Sequence, residues 1–183
     1  MYFKKMTGKK CYLAPIDLND LEKYTEWLND KDITKHLILY SHVISIENEK
    51  VFLEKLSKMH TYSIIDNETN ELIGNCGLGD IDHLNQTAEA GIFIGNKNYW
   101  DKGYGTEALS LLIDYGFKAL NLHNIFLRVY SFNERGKRSY EKIGFKVIGK
   151  KREALLRDME RHDIIFMDIL SDEFYEKFNS IKN

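Results

Sequence analysis

The sequence contains few of the residues that mark metal-binding, disulfide-linked or multidomain proteins. Its 183 residues include two cysteines, Cys11 and Cys76, and one proline, Pro15. Two cysteines so far apart have no metal-ligand spacing, and they are too few for a disulfide framework. The chain also has no Ser/Gly-rich linker and no low-complexity segment. We therefore expect one domain over residues 1–183, with reduced thiols and no metal site.

Long apolar segments and an excess of one charge are also missing. No stretch approaches the roughly 18 apolar residues of a membrane-spanning helix. The N-terminal stretch MYFKKMTGKK is charged and does not lead into the apolar segment of a secretory signal. Lys and Arg number 26 against 28 Asp and Glu, a formal charge of −2, which argues against nucleic acid as an obligate partner. We expect a cytoplasmic protein without a membrane partner.

The composition nevertheless provides a sizeable core. Hydrophobic residues make up 43% of the chain and aromatic residues 13%, too many for a disordered protein. Strands are predicted where β-prone residues lie between polar turns, at CYLAPI, TYSIID, LIGNCGL, TAEAGIFIG, HNIFLRVYSF, FKVIGKK, REALLRD and RHDIIFMDIL. With the helices between them, these strands predict an α+β fold with a mixed, mostly antiparallel sheet flanked by helices.

The predicted helices are recognised by their caps and their 3.6-residue spacing. Asp17 is the N-cap of the first, over LNDLEKYTEWLN, and Ser45 is the N-cap of the second, over IENEKVFLEKLSKM. A third, apolar on most sides, runs from about Tyr104 to Leu120. A fourth covers ERGKRSYEKI and ends at Gly144, and SDEFYEKF closes the chain with one or two helical turns.

A pair of glycines opens the third helix, in the stretch WDKGYGTEAL. Gly103 and Gly105 lie where the helix must nucleate, although glycine is a poor helix former. The first amides of a helix have no intrahelical partner and lie at its positive end, and glycines let an anion approach them. Lys102 adds a positive charge beside them. The stretch favours a diphosphate-type ligand, and a glycine turn without a ligand is the alternative.

Two familiar nucleotide-binding patterns fit this stretch poorly. The letters GYGTEA match G-x-G-x-x-G/A, but the dinucleotide fingerprint needs a strand that leads directly into the first glycine and an acid about 20 residues later. Here NKNYWDK intervenes, and the region about 20 residues later is the apolar IFLRV. A P-loop would need Gly-Lys-Ser/Thr, which does not occur. A nucleotide-dependent dehydrogenase is therefore the least supported reading.

A second segment, NERGKRSYEKIGF (Asn133 to Phe145), follows one strand after the glycine helix. At this point the chain resembles the GNAT family of acyl-CoA-dependent N-acetyltransferases. The resemblance consists of YWDKGYGTEAL as diphosphate loop and helix, NIFLRVYSFN as the next strand, and SYEKIGF as the next helix with its Gly-Phe exit. It is strongest to the RimJ/RimL branch, which modifies protein N-termini, and to its spermidine-acetylating relatives. Trp100 replaces the usual Arg or Gln at the start of the loop, a substitution common in the RimL-like branch.

The resemblance implies the GNAT acyl-CoA N-acyltransferase fold, with acetyl-CoA as the acetyl donor. Acetyl-CoA would lie in a gap between the AGIFIG and NIFLRVYSF strands. Backbone groups near Phe93 and Ile94 would pair with the pantetheine arm. Asn133 would hydrogen-bond the same arm, although its position alone equally suggests a helix N-cap. Backbone amides of the loop would hold the diphosphate, from Lys102, Gly103, Tyr104, Gly105 and Thr106.

The resemblance also implies two catalytic residues. Attack of a neutral amine on the thioester releases a thiolate with a pKa near ~8.5, which benefits from a proton donor. Tyr140 is the family's position for this acid, and a core tyrosine is the alternative. Glu89, in the family's AE-x-G pattern, is the candidate base, and a solvated strand glutamate is the alternative. A water relay would suffice for an α-amine, since with a pKa of about 8 roughly a tenth is neutral at pH 7.

The predicted function is acetyl transfer from acetyl-CoA to a primary amine, first of all a protein or peptide N-terminus of the ribosomal-protein type. A polyamine or another small amine is the alternative acceptor. Outside the enzymes, a CoA-binding module without turnover is the alternative. The expected partner is the amine substrate, and the protein is expected to be a monomer or a homodimer, as is common in the family.

Overall fold

The computed structural model describes the backbone of residues 1–182 and the side chains of residues 1–177. Within this part of the chain the strands are β1 (Met6–Thr7), β2 (Cys11–Pro15), β3 (His60–Asp66), β4 (Leu72–Asp82), β5 (Thr87–Ile94), β6 (Asn124–Tyr130), β7 (Lys146–Arg157) and β8 (Glu160–Leu170). The α-helices are α1 (Leu21–Asn29), α2 (Lys31–Thr34), α3 (Ile46–Leu56), α4 (Tyr104–Ala119), α5 (Glu134–Ile143) and α6 (Ser171–Lys182).

The strands follow the order β1-β2-β3-β4-β5-β6-β8-β7. Strands β5 and β6 pair in parallel, whereas the pairs β1–β2, β2–β3, β3–β4, β6–β8 and β7–β8 are antiparallel. This confirms the predicted mixed, mostly antiparallel sheet with helices. The chain divides into two compact units: the first comprises Met1–Leu78 and Gly91–Leu112, and the second comprises Gly79–Ala90 and the chain from Ile113 onward.

The first unit has a core built from β2–β4 and the helices α1–α3. Strand β2 is buried at four consecutive positions, from Cys11 to Ala14, as is typical of a strand covered on both faces. Helix α1 contributes Tyr24 and Trp27, whose rings meet edge to face at 5.7 Å between centroids. The buried cluster comprises Tyr12, Ala14, Ile16, Tyr24, Trp27, Ile33, Leu53, Ile65 and Leu72.

The second unit is organised around β6 and β8. Strand β6 alternates as expected from its sequence, with Ile125, Leu127 and Val129 buried and Arg128 exposed. Helix α5 ends where predicted, at Gly144, whose φ of 124° lies in the region that favours glycine. These elements place most of the NERGKRSYEKIGF segment on the helix α5, which follows β6.

The structure corrects three predicted boundaries. Asp17 caps a short 3-10 turn over Leu18–Asp20, and the α-helix begins only at Leu21. The stretches FKVIGKK and REALLRD form one strand, because the chain bulges between Lys151 and Leu155 and then rejoins its ladder with β8. The closing helix is also longer than predicted, with 12 residues in α6 instead of one or two turns.

Candidate functional site

Two glycines lie at the start of α4, and the structure places different demands on them. Gly103 has a φ of 84°, which only glycine adopts easily, and Asp101 before it has a φ of 57°. Gly105 has no such constraint, because a Cβ there would lie 3.7 Å from Ile94 Cγ1 and 3.9 Å from Ile92 Cδ1, which are ordinary contacts. Neither the backbone nor the neighbouring side chains therefore require glycine at position 105. A ligand that approaches the start of α4 would require it.

The side chain of Tyr104 anchors this loop to the turn between β3 and β4. Its hydroxyl donates a 2.6 Å hydrogen bond to Asp66 Oδ2, and its ring meets that of Tyr99 at 4.9 Å. Asp66 is 2% exposed, and its Oδ1 accepts from the amides of Glu68 and Thr69. Burial opposes the charge on Asp66, but these hydrogen bonds prevail and lower its pKa. The Tyr104 hydroxyl is therefore engaged, and Tyr104 can contact a ligand at the loop through its backbone.

A carboxylate in the first turn of α4 anchors the loop on another side. Glu107 Oε1 accepts from the amides of Lys10, at 2.6 Å, and Cys11, at 3.2 Å, in the turn between β1 and β2. Gly8 makes this contact possible, since a Cβ there would lie 2.3 Å from the same oxygen. Lys10 Nζ in turn donates to the carbonyl of Lys102 at 2.9 Å. None of these side-chain contacts was predicted from the sequence.

The end of β5 carries the two residues predicted to pair with the pantetheine arm. The ring of Phe93 packs edge to face on Tyr24 and Trp27, with centroids 6.2 and 6.1 Å away. The carbonyl of Ile94 accepts a 2.8 Å hydrogen bond from Trp100 Nε1. Trp100, the position that departs from the usual pattern of the loop, therefore ties the loop to β5. An Arg or Gln could also donate here, but the indole adds apolar contact with the core.

Tyr140 lies on α5 with its side chain half-buried. Its ring meets that of Phe145 edge to face at 6.1 Å. Among the side chains that the structure describes, none hydrogen-bonds the Tyr140 hydroxyl. Burial raises the pKa of Tyr140 to about 12, and the positive charge of Arg135 opposes the shift. The phenol is therefore protonated at neutral pH, with its hydrogen available to an acceptor.

Asn133 is the N-cap of α5. Its Oδ1 accepts from the amide of Gly136 at 3.0 Å, which confirms the capping interpretation of this residue. A Cβ at Gly136 would lie 2.7 Å from Asn133 Nδ2, so the glycine makes room for the cap. The contact with pantetheine stays a prediction. The cap leaves Nδ2 as the group that could make it.

Glu89 on β5 forms an ion pair that the sequence did not reveal. Arg128 on β6 donates to both of its oxygens, Nε to Oε1 at 2.6 Å and Nη2 to Oε2 at 3.0 Å. The pairing follows from the parallel register, in which Glu89 is opposite Phe126 and Arg128 is two residues further along the same face. To accept a proton, Glu89 would have to give up or share one of these bonds.

Two carboxyl groups of the first unit, the buried Glu49 and the half-buried Asp20, lack a complete set of partners. Glu49 is 3% exposed, and its side chain has no hydrogen bond to any residue that the structure describes. Burial raises its pKa to about 7. Asp20 Oδ1 accepts from Tyr2 at 2.8 Å, whereas its buried Oδ2 has no partner. Buried carboxylates suit cationic ligands better than neutral ones.

The predicted site residues fall into both units. The first unit holds Phe93, Ile94, Lys102, Gly103, Tyr104, Gly105 and Thr106, and the second holds Glu89, Asn133 and Tyr140. Over the described residues, no three His, Cys, Asp or Glu side chains converge as metal ligands would. The helices described here are also all too short or too polar to cross a bilayer.

Comparison with known proteins identifies relatives along most of the chain. Residues 10–146 match the family described as acetyltransferase (GNAT) domain. An uncharacterized N-acetyltransferase, p20, of Bacillus licheniformis is 30% identical over 184 residues, 95% of this chain and 97% of that protein. Spermidine N(1)-acetyltransferase of Escherichia coli K12 is 25% identical over 162 residues, 88% of this chain and 87% of that protein. The putative ribosomal N-acetyltransferase YdaF of Bacillus subtilis is 33% identical over 103 residues, 56% of each chain.

Solved structures show the same fold. A GNAT-family acetyltransferase from Bacillus anthracis superposes with a TM-score of 0.81 at 25% identity, covering 94% of this chain and all of that one. Spermidine N-acetyltransferase from Vibrio cholerae, in complex with CoA and spermine, gives a TM-score of 0.81 at 23% identity, over 92% of this chain and 99% of that one. The predicted acyl-CoA N-acyltransferase fold is confirmed.

Proposed function

The chain belongs to the GNAT family of acetyltransferases and uses acetyl-CoA, and we propose that it acetylates a primary amine, first of all the α-amine of a peptide or protein N-terminus. The main support for this proposal is the start of α4. Neighbouring side chains do not require glycine at position 105, so the space beside it is open to a ligand. Family membership supports an enzyme over the alternative of a CoA-binding module without turnover.

The cofactor residues of the first unit are proposed to act through their backbone. Amides from Lys102 to Thr106 would hold the diphosphate, since the start of a helix presents unpaired N–H groups at its positive end. Gly103 gives the loop its left-handed turn, and Gly105 clears the approach. Phe93 and Ile94 would hold the pantetheine arm through their backbone, and Asn133 of the second unit through Nδ2.

Tyr140 is proposed to donate a hydrogen bond to the sulfur as the thioester breaks. With a pKa of about 12, Tyr140 keeps its proton at any physiological pH. Full transfer of that proton to a thiolate with a pKa near 8.5 would cost about 5 kcal/mol. Hydrogen-bond donation from the phenol is therefore the role that its environment favours, and it stabilises the leaving charge without that cost. Acetyl-CoA itself supplies the activated acetyl group.

The ion pair with Arg128 leaves Glu89 less available as a base, and this favours an acceptor amine that is already partly neutral. Glu89 stays the candidate base, acting directly or through a water, but Arg128 already engages both of its oxygens. An α-amine with a pKa of about 8 is roughly a tenth neutral at pH 7, whereas an alkyl amine near ~10.4 is under about a thousandth neutral. This difference supports a peptide N-terminus over a polyamine. It also supports the RimJ/RimL branch, to which YdaF gives a partial likeness.

A polyamine is the second candidate acceptor. The buried Glu49 on α3 and the unpartnered oxygen of Asp20, just before α1, are carboxyl groups that would suit a ligand with several positive charges. Relatives named as spermidine acetyltransferases cover most of the chain. We further propose that the protein acts as a single domain in the cytoplasm, as a monomer or homodimer, consistent with its two buried free thiols.

The acceptor can be identified by following thiol release from acetyl-CoA with three matched amines. These are a short lysine-containing peptide, the same peptide with its α-amine blocked, and spermidine. Turnover with the free peptide alone is expected, with a rate constant that levels off near pH 8 as the α-amine becomes neutral. Turnover with spermidine alone, still rising above pH 9, would instead establish the second candidate. Failure with all three, in a protein that binds CoA, would contradict both.

A further inference from the structure

A lysine from the N-terminal hairpin lies over the glycine loop. Lys10 Nζ donates to the carbonyl of Lys102 at 2.9 Å and lies 5.6 Å from the centre of the Tyr104 ring. The nearest heavy atom to a Cβ built on Gly103 is Lys10 Cε, at 4.0 Å. The lysine side chain therefore extends along residues 102–104, whose amides belong to the proposed diphosphate site.

A residue of α4 holds the backbone of Lys10 in place. Glu107 Oε1 accepts from the amides of Lys10 and Cys11, and Gly8 makes room for that carboxylate. The amide of Gly8 also donates to the carbonyl of Cys11 at 2.9 Å, which closes the turn between β1 and β2. Because Glu107 is in the first turn of α4, the turn that carries Lys10 is tied to the same helix whose start forms the loop.

The charge of Lys10 is not matched by any acid in the described part of the chain. Several other lysines are paired with carboxylates, such as Lys97 with Asp30 at 2.7 Å and Lys150 with Asp163 at 2.7 Å. Lys10 instead bonds only a carbonyl, and an ammonium has three N–H donors. Two donors and a full positive charge are left for an anion at the loop.

We propose that Lys10 binds the diphosphate of CoA, as a side-chain ligand contributed by the hairpin β1–β2. The inference rests on the proposed function, which places the diphosphate at the start of α4. Lys10 then complements the loop amides with a charge-assisted hydrogen bond, the kind that distinguishes phosphate oxygens from neutral ligands. The contact is exposed, so its effect on binding is moderate and decreases with added salt.

The test measures dissociation constants by calorimetry for CoA, for dephospho-CoA and for pantetheine, with the full chain. Lys10→Gln is expected to weaken CoA and dephospho-CoA roughly three- to tenfold and to leave pantetheine within about twofold. Lys10→Arg, which keeps the charge, is expected to bind CoA within about twofold of the unaltered chain. Lys9→Gln is the matched control, since Lys9 is an exposed neighbour whose side chain makes no described contact.

Each other outcome overturns the inference in a distinct way. Unchanged CoA binding by Lys10→Gln would show that the lysine takes no part. Equal weakening of pantetheine would show that Lys10 only supports the loop through the Lys102 carbonyl. Weakening of CoA but not of dephospho-CoA would move the contact to the 3′-phosphate. Absence of CoA binding by the unaltered chain would overturn the proposed function itself, and the inference with it.

Discussion

Replacing Gly105 by alanine separates the two reasons for which a helix can begin with glycine. If the fold requires glycine, the variant loses stability; if a ligand requires it, only ligand binding suffers. The structure favours the second reason, because the added Cβ would make ordinary contacts at 3.7 Å with Ile94 and 3.9 Å with Ile92. Gly103 is the contrasting position, since its φ of 84° strains any other residue.

The expected changes in melting temperature have opposite signs for alanine at position 105 and alanine at position 103. Alanine is a better helix former than glycine by about 1 kcal/mol in a helix interior, and at the second residue of α4 we expect about half of this. Gly105→Ala should therefore raise the melting temperature by roughly 1–2 °C. Gly103→Ala should cost roughly 1–2 kcal/mol in backbone strain and lower the melting temperature by roughly 2–8 °C. Loss of one amide–phosphate hydrogen bond in Gly105→Ala should weaken CoA binding about tenfold or more.

Thermal unfolding without ligand and calorimetric titration with CoA measure both effects. Gly149→Ala is the control, because a Cβ at that position meets nothing within 4 Å and the residue is on β7, outside the predicted site. A Gly105→Ala variant that is less stable than the unaltered chain would refute the inference that a Cβ fits beside Ile94 without strain. A variant that is stable and binds CoA normally would refute the ligand as the reason for the glycine.

Three further changes test the catalytic and structural interpretation. Tyr140→Phe should lower kcat by about 10²-fold or more and leave the CoA dissociation constant within about twofold. Tyr104→Phe, which leaves the buried Asp66 short of one donor, should lower the free energy of unfolding in urea by about 1–3 kcal/mol. Glu49→Gln should stabilise the protein more at pH 8 than at pH 5, by up to about 3 kcal/mol, measured by urea unfolding.

The sign of the last effect follows from proton binding. A carboxyl whose folded pKa is about 7, against about 4.5 when unfolded, binds more protons in the folded state between these values. Stability from Glu49 is therefore lost as pH rises from about 4.5 to 7, and glutamine removes the loss. A Glu49→Gln variant with the same gain at both pH values would contradict the buried, unpartnered carboxyl. For Tyr140→Phe the control is Tyr175→Phe on α6, and a weakened CoA affinity with normal kcat would contradict the donor role.

The elements of the fold were predictable because their signals are local. Ser45 was predicted as a helix cap, and the structure places its hydroxyl 3.2 Å from the amide of Asn48. Gly144 was predicted to end a helix, and it does so with a positive φ. The first helix was misplaced by one turn because Asp17 caps equally well a 3-10 turn, and the cap alone does not distinguish the two.

The candidate site was predictable only in part. Spacing along the chain located the glycine loop and Tyr140, because the loop and the helix that carry them are each continuous in sequence. The ion pair of Glu89 with Arg128 required the register between β5 and β6, which no local pattern encodes. The same holds for Tyr104 and Asp66, which are 38 residues apart.

Local sequence patterns were enough to locate the turns, the alternating strands and the helices, and to show that one helix begins with glycines beside a lysine. These properties depend on the backbone preferences and the periodicity of apolar side chains over a few neighbouring residues, so the sequence alone predicts them. Which charged groups lie in contact became evident from the three-dimensional packing of the chain. Arg128 forms an ion pair with the candidate base Glu89, and the Tyr104 hydroxyl donates to Asp66. Lys10 lies over the glycine loop. Contacts of this kind depend on strand register and chain packing, and they decide the chemistry that each predicted residue can perform.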